Sequence, residues 1–493
     1  MLKLFSYLVE IKNGDNMKSF SKELIIERLW ADNSWWQSSK IEPYFQRMKP
    51  RLYFQLFYPL AFDMSLRRAV ILTGPRRVGK TVMLFQTIQA LINDGISPRK
   101  ICYISVETPI YNNIDLEELF LLAREASGEL ETDGWYVVFD EIQYFKDWEL
   151  HLKVMVDRYK TTKFIVSGSA AAALQRASIE SGAGRFTDFM LPPLTFIEYV
   201  QLQDLGRLIQ PTEMEWGGSS IEFVKTTNID ELNGHFLDYL NYGGYPEALF
   251  SSIVRADPRR HILTDIIDKV LLKDLPSLYG IRDVRELYSL FTTLAYHSGN
   301  ENSYESISQK SGIDKVSIKK YLDYLEASFL IKIVHRIDDN AKKFQRASLF
   351  KVYLTNPALR SALFTFLKID DDFMGPMVET AIFSQWMHRD KIVPYYARWQ
   401  SGEVDMVKLD EKTFKPSWAL EIKWSNDYFD NPGKLKNLFT FCEKNDLTEA
   451  LVTTKTKTGQ KNAPNSVRLQ FVPAALYAYN IGKNTLGNKM TSM

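Results

Sequence analysis

The sequence has little that would support a disulfide framework, a zinc site or a membrane span. Its 493 residues include 2 cysteines, far apart at Cys102 and Cys442, and 6 scattered histidines. A disulfide-stapled fold and a zinc knuckle are therefore excluded, and a reducing cytoplasm is the expected compartment. No apolar run approaches the roughly 18 residues that a membrane helix needs, so we predict no membrane partner.

Net charge is almost absent as well. The 61 Lys and Arg residues oppose 60 Asp and Glu residues, which leaves a formal charge of +1. Any surface for nucleic acid must therefore be a local patch rather than a property of the whole chain. The chain is 45% hydrophobic and too long for one ordinary core, so several soluble globular domains are expected.

The order of apolar runs predicts how the chain is divided. Short β-rich runs alternate with helical stretches over residues 65–200, which predicts an α/β core with a parallel sheet covered on both faces. The predicted units are a helical lead-in (1–64), this core (65–200), a helical lid and linker (201–281), a unit of three helices and a strand pair (282–355), a β-rich C-terminal domain (356–480) and a polar tail (481–493).

A phosphate-binding pattern lies at the start of the core. Residues 74–81 read GPRRVGKT, directly after the apolar run AVILT and at the start of a helical stretch. Glycines let the backbone wrap closely around phosphate oxygens, and the loop amides favour anions. Lys80 would reach the β and γ phosphates of ATP, and the Thr81 hydroxyl would ligate Mg²⁺. The candidate nucleotide-binding residues are Gly74, Pro75, Arg76, Arg77, Val78, Gly79, Lys80 and Thr81.

An acidic strand end complements this loop. WYVVFDE, residues 135–141, delivers two carboxylates where ligands gather in open α/β sheets. Asp140 would hold the Mg²⁺ shell, and Glu141 would orient and deprotonate the attacking water. The plain alternative is a strand that ends in a solvated acidic turn.

Two further segments of the core carry candidate catalytic side chains. The run KFIVSGS ends in Ser167 and Ser169, and one of these hydroxyls would sense the γ-phosphate if the strand lies beside the acidic one. Small polar residues are also common at strand ends. In GAGRF, Arg185 would complete a neighbouring subunit's site as an arginine finger, or else form a structural ion pair.

Residues 303–337 have the pattern of a helix–turn–helix. Ser303 and Asp314 are good N-cap residues, and Gly312 fits the turn between two helices. As a winged helix, the unit would place its third helix in a DNA groove and its basic loop on phosphates. The candidate DNA contacts are Lys315, Lys319, Lys320, Lys342, Lys343 and Arg346. The alternative is a domain-packing module with solvated lysines.

The C-terminal run WALEIKW, residues 418–424, places Glu421 and Lys423 on one face of a strand because side chains alternate along it. A polar segment precedes it, and in the resulting hairpin Asp405 would lie opposite or diagonal to Glu421. Two such carboxylates repel unless a cation intervenes, and oxygen ligands suit Mg²⁺ or Mn²⁺. Glu379, in the preceding helical stretch, is a candidate fourth member of the site formed by Asp405, Glu421 and Lys423. The alternative is a polar strand face packed on a neighbouring domain.

Taken together, these motifs resemble a known family. GPRRVGKT, VVFDEIQ, VSGSA, GAGRF followed by LPPLTFIEY, and GGYPEA are similar to segments of the prokaryotic AAA-type ATPases that carry a winged helix and a restriction-endonuclease-like, PD-(D/E)XK, C-terminal domain. The resemblance implies an ATP-binding core in which Gln143 is an additional active-site contact. The layout of Glu379, Asp405, Glu421 and Lys423 resembles the nuclease core, although no proline precedes Asp405.

The expected function is an ATP-binding AAA-type ATPase that hydrolyses ATP, with Mg²⁺, to control winged-helix and nuclease-like domains. One alternative is an ATP-gated, metal-dependent DNA nuclease with a second Mg²⁺ or Mn²⁺ in the C-terminal domain. Another is a non-enzymatic switch that binds ATP and recruits a protein partner. DNA and a second copy of the chain are further candidate partners.

Overall fold

The structure is a computed structural model that describes residues 20–168, 184–338, 349–386, 392–463 and 467–490. In these ranges, none of the helices combines the length and the apolar character needed to span a membrane.

The lead-in forms short helices that pack on the core. They are α1 (Lys22–Asp32), α2 (Trp35–Ser38), α3 (Pro43–Gln46) and α4 (Phe54–Phe62). The buried indoles of Trp35 and Trp36 both donate hydrogen bonds to the Ile101 carbonyl, at 2.9 and 2.8 Å. The lead-in is therefore tied to the second strand of the core.

The predicted parallel sheet is confirmed. Its strands are β1 (Ala69–Thr73), β2 (Ile101–Ser105), β3 (Tyr136–Asp140), β4 (Lys163–Gly168) and β5 (Phe186–Met190). They lie in the order β2-β3-β4-β1-β5, and all neighbours are parallel. Helices α5 (Lys80–Asn93), α6 (Leu116–Ser127) and α7 (Trp148–Arg158) connect the first four strands. The non-consecutive order brings β1, β3 and β4 together, so the phosphate loop and the acidic strand end meet.

The segment after the core is less helical than the sequence predicts. Helix α8 (Phe196–Leu202) is followed by an antiparallel hairpin of β6 (Ile209–Trp216) and β7 (Ser219–Thr226), which contains the polar insertion PTEMEWGGSS. Gly217 and Gly218 both have positive φ, +61° and +75°, as a tight two-residue hairpin turn requires. The helical lid and linker predicted over residues 201–281 thus contain a β-hairpin at the polar insertion.

Helices continue from the hairpin to residue 279. They are α9 (Ile229–Asn241), α10 (Pro246–Phe250), α11 (Ser252–Ala256), α12 (Pro258–Ile262) and α13 (Leu275–Tyr279). Between α12 and α13 the backbone is π-helical over Leu263–Asp268 and Val270–Asp274. We call residues 258–279 the linker helix segment.

The following unit contains the predicted helices and strand pair. These elements are α14 (Val284–Tyr296), β8 (Glu301–Ser303), α15 (Tyr304–Ser311), α16 (Lys315–Ala327), β9 (Ile331–Ile337) and β10 (Leu349–Leu354). Gly312 adopts φ +74° at the end of α15, and Asp314 caps α16 by accepting from the backbone of Val316 and Ser317. The local helix signals at this turn therefore predict the structure.

The C-terminal part adds strands to the sheet that contains β8, β9 and β10. Its elements are α17 (Ala358–Leu363), α18 (Met374–Trp386), β11 (Pro394–Trp399), β12 (Gly402–Leu409), β13 (Pro416–Glu421), α19 (Asp427–Asp430), α20 (Lys436–Lys444), β14 (Glu449–Thr454), β15 (Gly459–Asn462), β16 (Arg468–Pro473) and α21 (Ala474–Met490).

Strand β11 pairs in parallel with β9, which makes one nine-stranded sheet from two predicted units. The predicted polar tail is also different in the structure, because α21 continues to Met490 and buries Ile481, Thr485 and Leu486.

Candidate functional site

The phosphate loop joins the end of β1 to the first residue of α5. At Gly74, φ is +152°, and a Cβ atom would lie 2.2 Å from the Leu191 carbonyl oxygen, so a larger residue does not fit. Gly79 has φ +94°, a conformation that side chains rarely adopt. The Lys80 ammonium is buried and donates to the carbonyls of Gly74 and Pro75, at 3.0 and 2.8 Å. Burial lowers its pKa, and the carboxylates of Glu141 and Asp140 oppose that effect.

The predicted magnesium ligands lie together at the end of β3. The Thr81 hydroxyl donates to Asp140 Oδ2 at 2.8 Å, although the two residues are 59 apart in sequence. Asp140 is 2% exposed and also accepts hydrogen bonds from Tyr103, at 2.8 Å, and from Ser167. Burial, followed by the nearby Glu141, raises the pKa of Asp140. The hydroxyl of Thr81 and the carboxylate of Asp140 are the oxygen donors that Mg²⁺ prefers, so the residues present fit this ion.

Glu141 follows Asp140 in a left-handed conformation, with φ +55°. Non-glycine residues adopt this conformation rarely, and such residues cluster at active sites. Gln143 Nε2 lies 2.5 Å from Glu141 Oε2 and donates a hydrogen bond to it. Gln143 thus contacts the candidate base, and its role as an additional active-site contact stays a prediction.

The remaining core candidates have separate outcomes. Ser167, at the end of β4, donates a hydrogen bond to Asp140, so its strand lies beside the acidic strand. Ser169 lies outside the described residues. Arg185 Nε is 3.0 Å from Asp157 Oδ1, and both side chains are about half exposed, so the arginine forms a surface ion pair in this chain. Its role as an arginine finger for a neighbouring subunit stays a prediction.

Two features of this site were not found from the sequence. Tyr103 belongs to β2 and contacts Asp140 only because β2 and β3 are adjacent in the sheet. Arg51, in the lead-in, donates to the Val78 carbonyl of the phosphate loop at 2.9 Å and forms a buried ion pair with Glu198. No local pattern marks a partner that is 147 residues away in sequence.

The C-terminal candidates converge at a second place. Met406 pairs with Leu420 in the β12–β13 ladder, so the next positions place Asp405 opposite Glu421, as predicted. The Lys423 ammonium lies 2.7 Å from Glu421 Oε1 and 3.1 Å from Asp405 Oδ2. The backbone N–H of Ile422 also donates to Asp405 Oδ2, at 2.7 Å.

Glu379 lies in the same charged region. Its Oε1 accepts from Tyr353 at 2.5 Å and from the buried Lys351 at 3.2 Å, and Lys351 also pairs with Glu403 at 2.6 Å. Burial is the main cause that raises the pKa of Glu379, and Asp405 adds to it. Burial and then Asp405 raise the pKa of Glu421 to about 7.

The repulsion between the Asp405 and Glu421 carboxylates is relieved by a lysine, where the sequence predicted a metal ion. Lys423 provides the cation between Asp405 and Glu421. Across the described ranges, no group of three or more His, Cys, Asp or Glu side chains is placed to hold a metal ion. A second metal in this domain therefore stays a prediction.

The candidate DNA contacts are only partly visible. On α16, Lys315 is paired with Glu305, whereas Lys319 and Lys320 are exposed. The apolar residues Ile318 and Leu322 of the same helix are buried. Lys342, Lys343 and Arg346 lie outside the described residues.

Comparison with known families agrees with the geometry of the phosphate loop. Residues 66–200 match a family described as an AAA domain. This segment is therefore similar to AAA domains. Residues 233–372 match a domain of unknown function (DUF8612), which begins in α9 and ends just before α18. The second match thus covers the linker helix segment and one part of the nine-stranded sheet.

Several uncharacterised proteins match this chain at low identity. An uncharacterised protein of Haemophilus influenzae is 26% identical over 298 residues, which is 59% of this chain and 68% of that protein. An uncharacterised protein of Methanocaldococcus jannaschii is 23% identical over 349 residues, 69% of this chain and 72% of that protein. The solved structure of Aeropyrum pernix ORC1 in complex with DNA covers 67% of this chain and 95% of its own, at 11% identity and a TM-score of 0.31. A TM-score this low establishes no common fold.

Proposed function

We propose that this chain binds ATP with Mg²⁺ at the phosphate loop and hydrolyses it. The observation that carries the proposal is the 2.8 Å contact between Thr81 and Asp140. It joins the two predicted magnesium ligands, one on the phosphate loop helix and one on the acidic strand. The buried Lys80 beside them supplies the positive charge that a phosphate requires.

Each residue has a distinct role in this chemistry. Thr81 and Asp140 would hold Mg²⁺, which neutralises charge on the phosphates. Lys80 exchanges the loop carbonyls of Gly74 and Pro75 for phosphate oxygens, and its burial strengthens that attraction because the local dielectric is low. Glu141 orients the attacking water and accepts its proton, and Gln143 holds the Glu141 carboxylate in place.

Calorimetry with the full chain tests ATP binding. Lys80→Ala removes the loop's buried ammonium and is expected to abolish measurable binding of ATP with Mg²⁺. Lys100→Ala is the matched control, because the Lys100 ammonium donates to the Asp133 carbonyl on the exposed surface. Undiminished ATP binding by Lys80→Ala would contradict the proposal.

A second candidate function, phosphodiester cleavage, is favoured by the convergence of Glu379, Asp405, Glu421 and Lys423 in one region. In a nuclease of this kind, Asp405 and Glu421 would hold a divalent ion, and Lys423 would stabilise charge on the scissile phosphate. Lys423 would first have to leave its place between the two carboxylates. The ATPase would then act as a gate for DNA cleavage.

ATP-dependent control of DNA binding is the corresponding proposal for the unit over residues 282–355. Lys319 and Lys320 support it, because both side chains are exposed and lie outside the buried face of α16. Replacing both by Ala should weaken DNA binding and lower its salt slope by about 0.9 for each DNA phosphate that the variant no longer neutralises. Unchanged affinity and slope would favour the protein-recruiting switch instead.

A further inference from the structure

One arginine of the phosphate loop is held by a carboxylate from outside the AAA-type domain. Arg76 Nε lies 2.5 Å from Asp274 Oδ2, and its Nη2 lies 2.8 Å from Asp274 Oδ1. Both side chains are mostly buried, at 18% and 13% exposure. This two-bond geometry is the strong form of an arginine–carboxylate pair. It directly links the loop to a residue 198 positions later in the chain.

Asp274 ends the π-helical stretch of the linker helix segment. This segment is anchored in the core by Ile266, Ile267, Val270 and Leu271, and it leads into α14. π-helical turns are rare, and those that occur are often found at functional sites. The Arg76–Asp274 pair therefore connects the phosphate loop to the linker helix segment, which precedes α14 and the first strand of the nine-stranded sheet, β8.

The Arg76 guanidinium also lies on the reactive side of the loop. Its Nη2 donates to the Tyr144 hydroxyl at 3.2 Å, three residues after Glu141. Its positive charge opposes protonation of Lys80. Burial and Glu141 raise the pKa of Glu107, and Arg76 counteracts them. Arg76 therefore shares its surroundings with the groups that act on the terminal phosphate in the proposed function.

Arg77, the next residue, lies in a different environment. It has φ +63°, and its guanidinium pairs with Glu247 and Asp265 at 2.9 and 3.2 Å. All three side chains are about one third exposed. The two neighbouring arginines thus point to separate carboxylates, and Arg76 is the more buried of the two.

We propose that Arg76 recognises the terminal phosphate of ATP and that Asp274 competes with this phosphate for the same guanidinium. The proposal rests on the ATP site proposed above. A guanidinium binds a carboxylate and a phosphate in the same forked manner, and Asp274 holds the Nε–Nη2 edge of Arg76, so a phosphate at that edge would displace it. ADP lacks the terminal phosphate and leaves Arg76 with Asp274. ATP thereby breaks the Arg76–Asp274 contact between the phosphate loop and the linker helix segment, whereas ADP does not, because a ligand shifts an equilibrium only by its differential affinity for the two states. The Arg77–Asp265 pair still joins the loop to this segment in both states.

Affinities measured on the full chain test the competition. A non-hydrolysable ATP analogue and ADP, each with Mg²⁺, are titrated into wild type, Arg76→Ala and Asp274→Asn. Arg76→Ala should weaken the analogue by roughly 10- to 100-fold and ADP by less than about threefold, since the variant removes a charge-assisted hydrogen bond that only the analogue makes. Asp274→Asn, which keeps shape and an acceptor, should tighten the analogue by about tenfold. Arg76→Gln serves as a second variant if the alanine chain fails to fold.

A double-mutant cycle on melting temperature tests whether the ATP analogue breaks the Arg76–Asp274 contact. Coupling between Arg76→Ala and Asp274→Asn should be present without nucleotide and with ADP, and absent with the ATP analogue. The matched pair Arg207 and Glu231 lies outside both the phosphate loop and the linker helix segment. Its coupling should be the same in all three conditions.

The outcomes separate this inference from the proposed function. Wild type that binds neither nucleotide overturns the ATP site and the inference together. Wild type that binds ATP, combined with an Arg76→Ala chain that loses analogue and ADP affinity equally, overturns only the inference. An Asp274→Asn chain with unchanged analogue affinity, or Arg76–Asp274 coupling that persists with the analogue, also overturns the competition.

Discussion

The buried pair of Arg51 and Glu198 offers a sharp test of how the lead-in supports the phosphate loop. Arg51 is 7% exposed and Glu198 is 1% exposed, and two nitrogens of Arg51 donate to the two Glu198 oxygens at 2.9 and 2.7 Å. Arg51 also donates to the carbonyls of Val78 and Pro192, at 2.9 and 2.7 Å. A longer contact, at 3.5 Å, reaches the Pro193 carbonyl, so one side chain satisfies a carboxylate and three backbone acceptors.

Removing both charges should cost less than the sum of the two single losses, because neither charge is then left buried without its partner. Arg51→Met leaves the Glu198 carboxylate buried without its cation, and we expect it to lower the free energy of unfolding by about 3–5 kcal/mol. Glu198→Gln leaves Arg51 with its carbonyl acceptors and keeps the capping contacts with Thr195, so we expect a loss of about 1.5–3 kcal/mol. The double variant removes both buried charges, and its loss should fall short of the sum by about 2 kcal/mol or more.

Urea unfolding followed by circular dichroism measures these differences. The exposed pair of Lys49 and Asp204 is a matched control, two residues from Arg51 and six from Glu198. Lys49→Met should cost less than about 1 kcal/mol. Arg51→Met should in addition weaken ATP binding, because the Val78 carbonyl belongs to the phosphate loop. Additive losses in the double variant would refute the reasoning from buried charge.

Three further predictions concern other parts of the chain. Glu141→Gln should retain ATP but slow hydrolysis by about 100-fold or more in a phosphate-release assay, and unchanged turnover would exclude Glu141 as the base. Burial lowers the pKa of Lys163 to about 8 from its ordinary 10.5, so the unfolded chain binds more protons than the folded chain between these pH values. As the pH rises from about 8 to 10.5, wild type should therefore gain up to about 3 kcal/mol of unfolding free energy relative to Lys163→Met. Parallel plots of unfolding free energy against pH for the two chains would contradict this prediction. Mn²⁺ at a hundredfold excess over its dissociation constant should stabilise the nucleotide-free chain by about 2.7 kcal/mol, and Asp405→Asn should respond less. Equal melting shifts in both chains would exclude a metal ion between Asp405 and Glu421.

Local patterns were sufficient for the parts of the site that lie close in sequence. The glycines, lysine and threonine of GPRRVGKT predict a phosphate loop because the backbone path and the helix start are set within a few residues. The pairing of Asp405 with Glu421 was predictable for a similar reason, since a short polar turn and strand alternation leave few registers for the hairpin.

The tertiary structure decided which distant residues complete the site. The sequence determined that a strand ends in Asp140 and Glu141, but strand order alone brought Tyr103 and Ser167 onto the Asp140 carboxylate. It likewise determined that Arg76 lies in a phosphate loop, whereas the fold supplied Asp274 as its partner. Periodicity reports which face of an element is buried, not which remote element covers it. For that reason the pairing of β9 with β11, which joins two predicted units into one sheet, was also decided only by the fold.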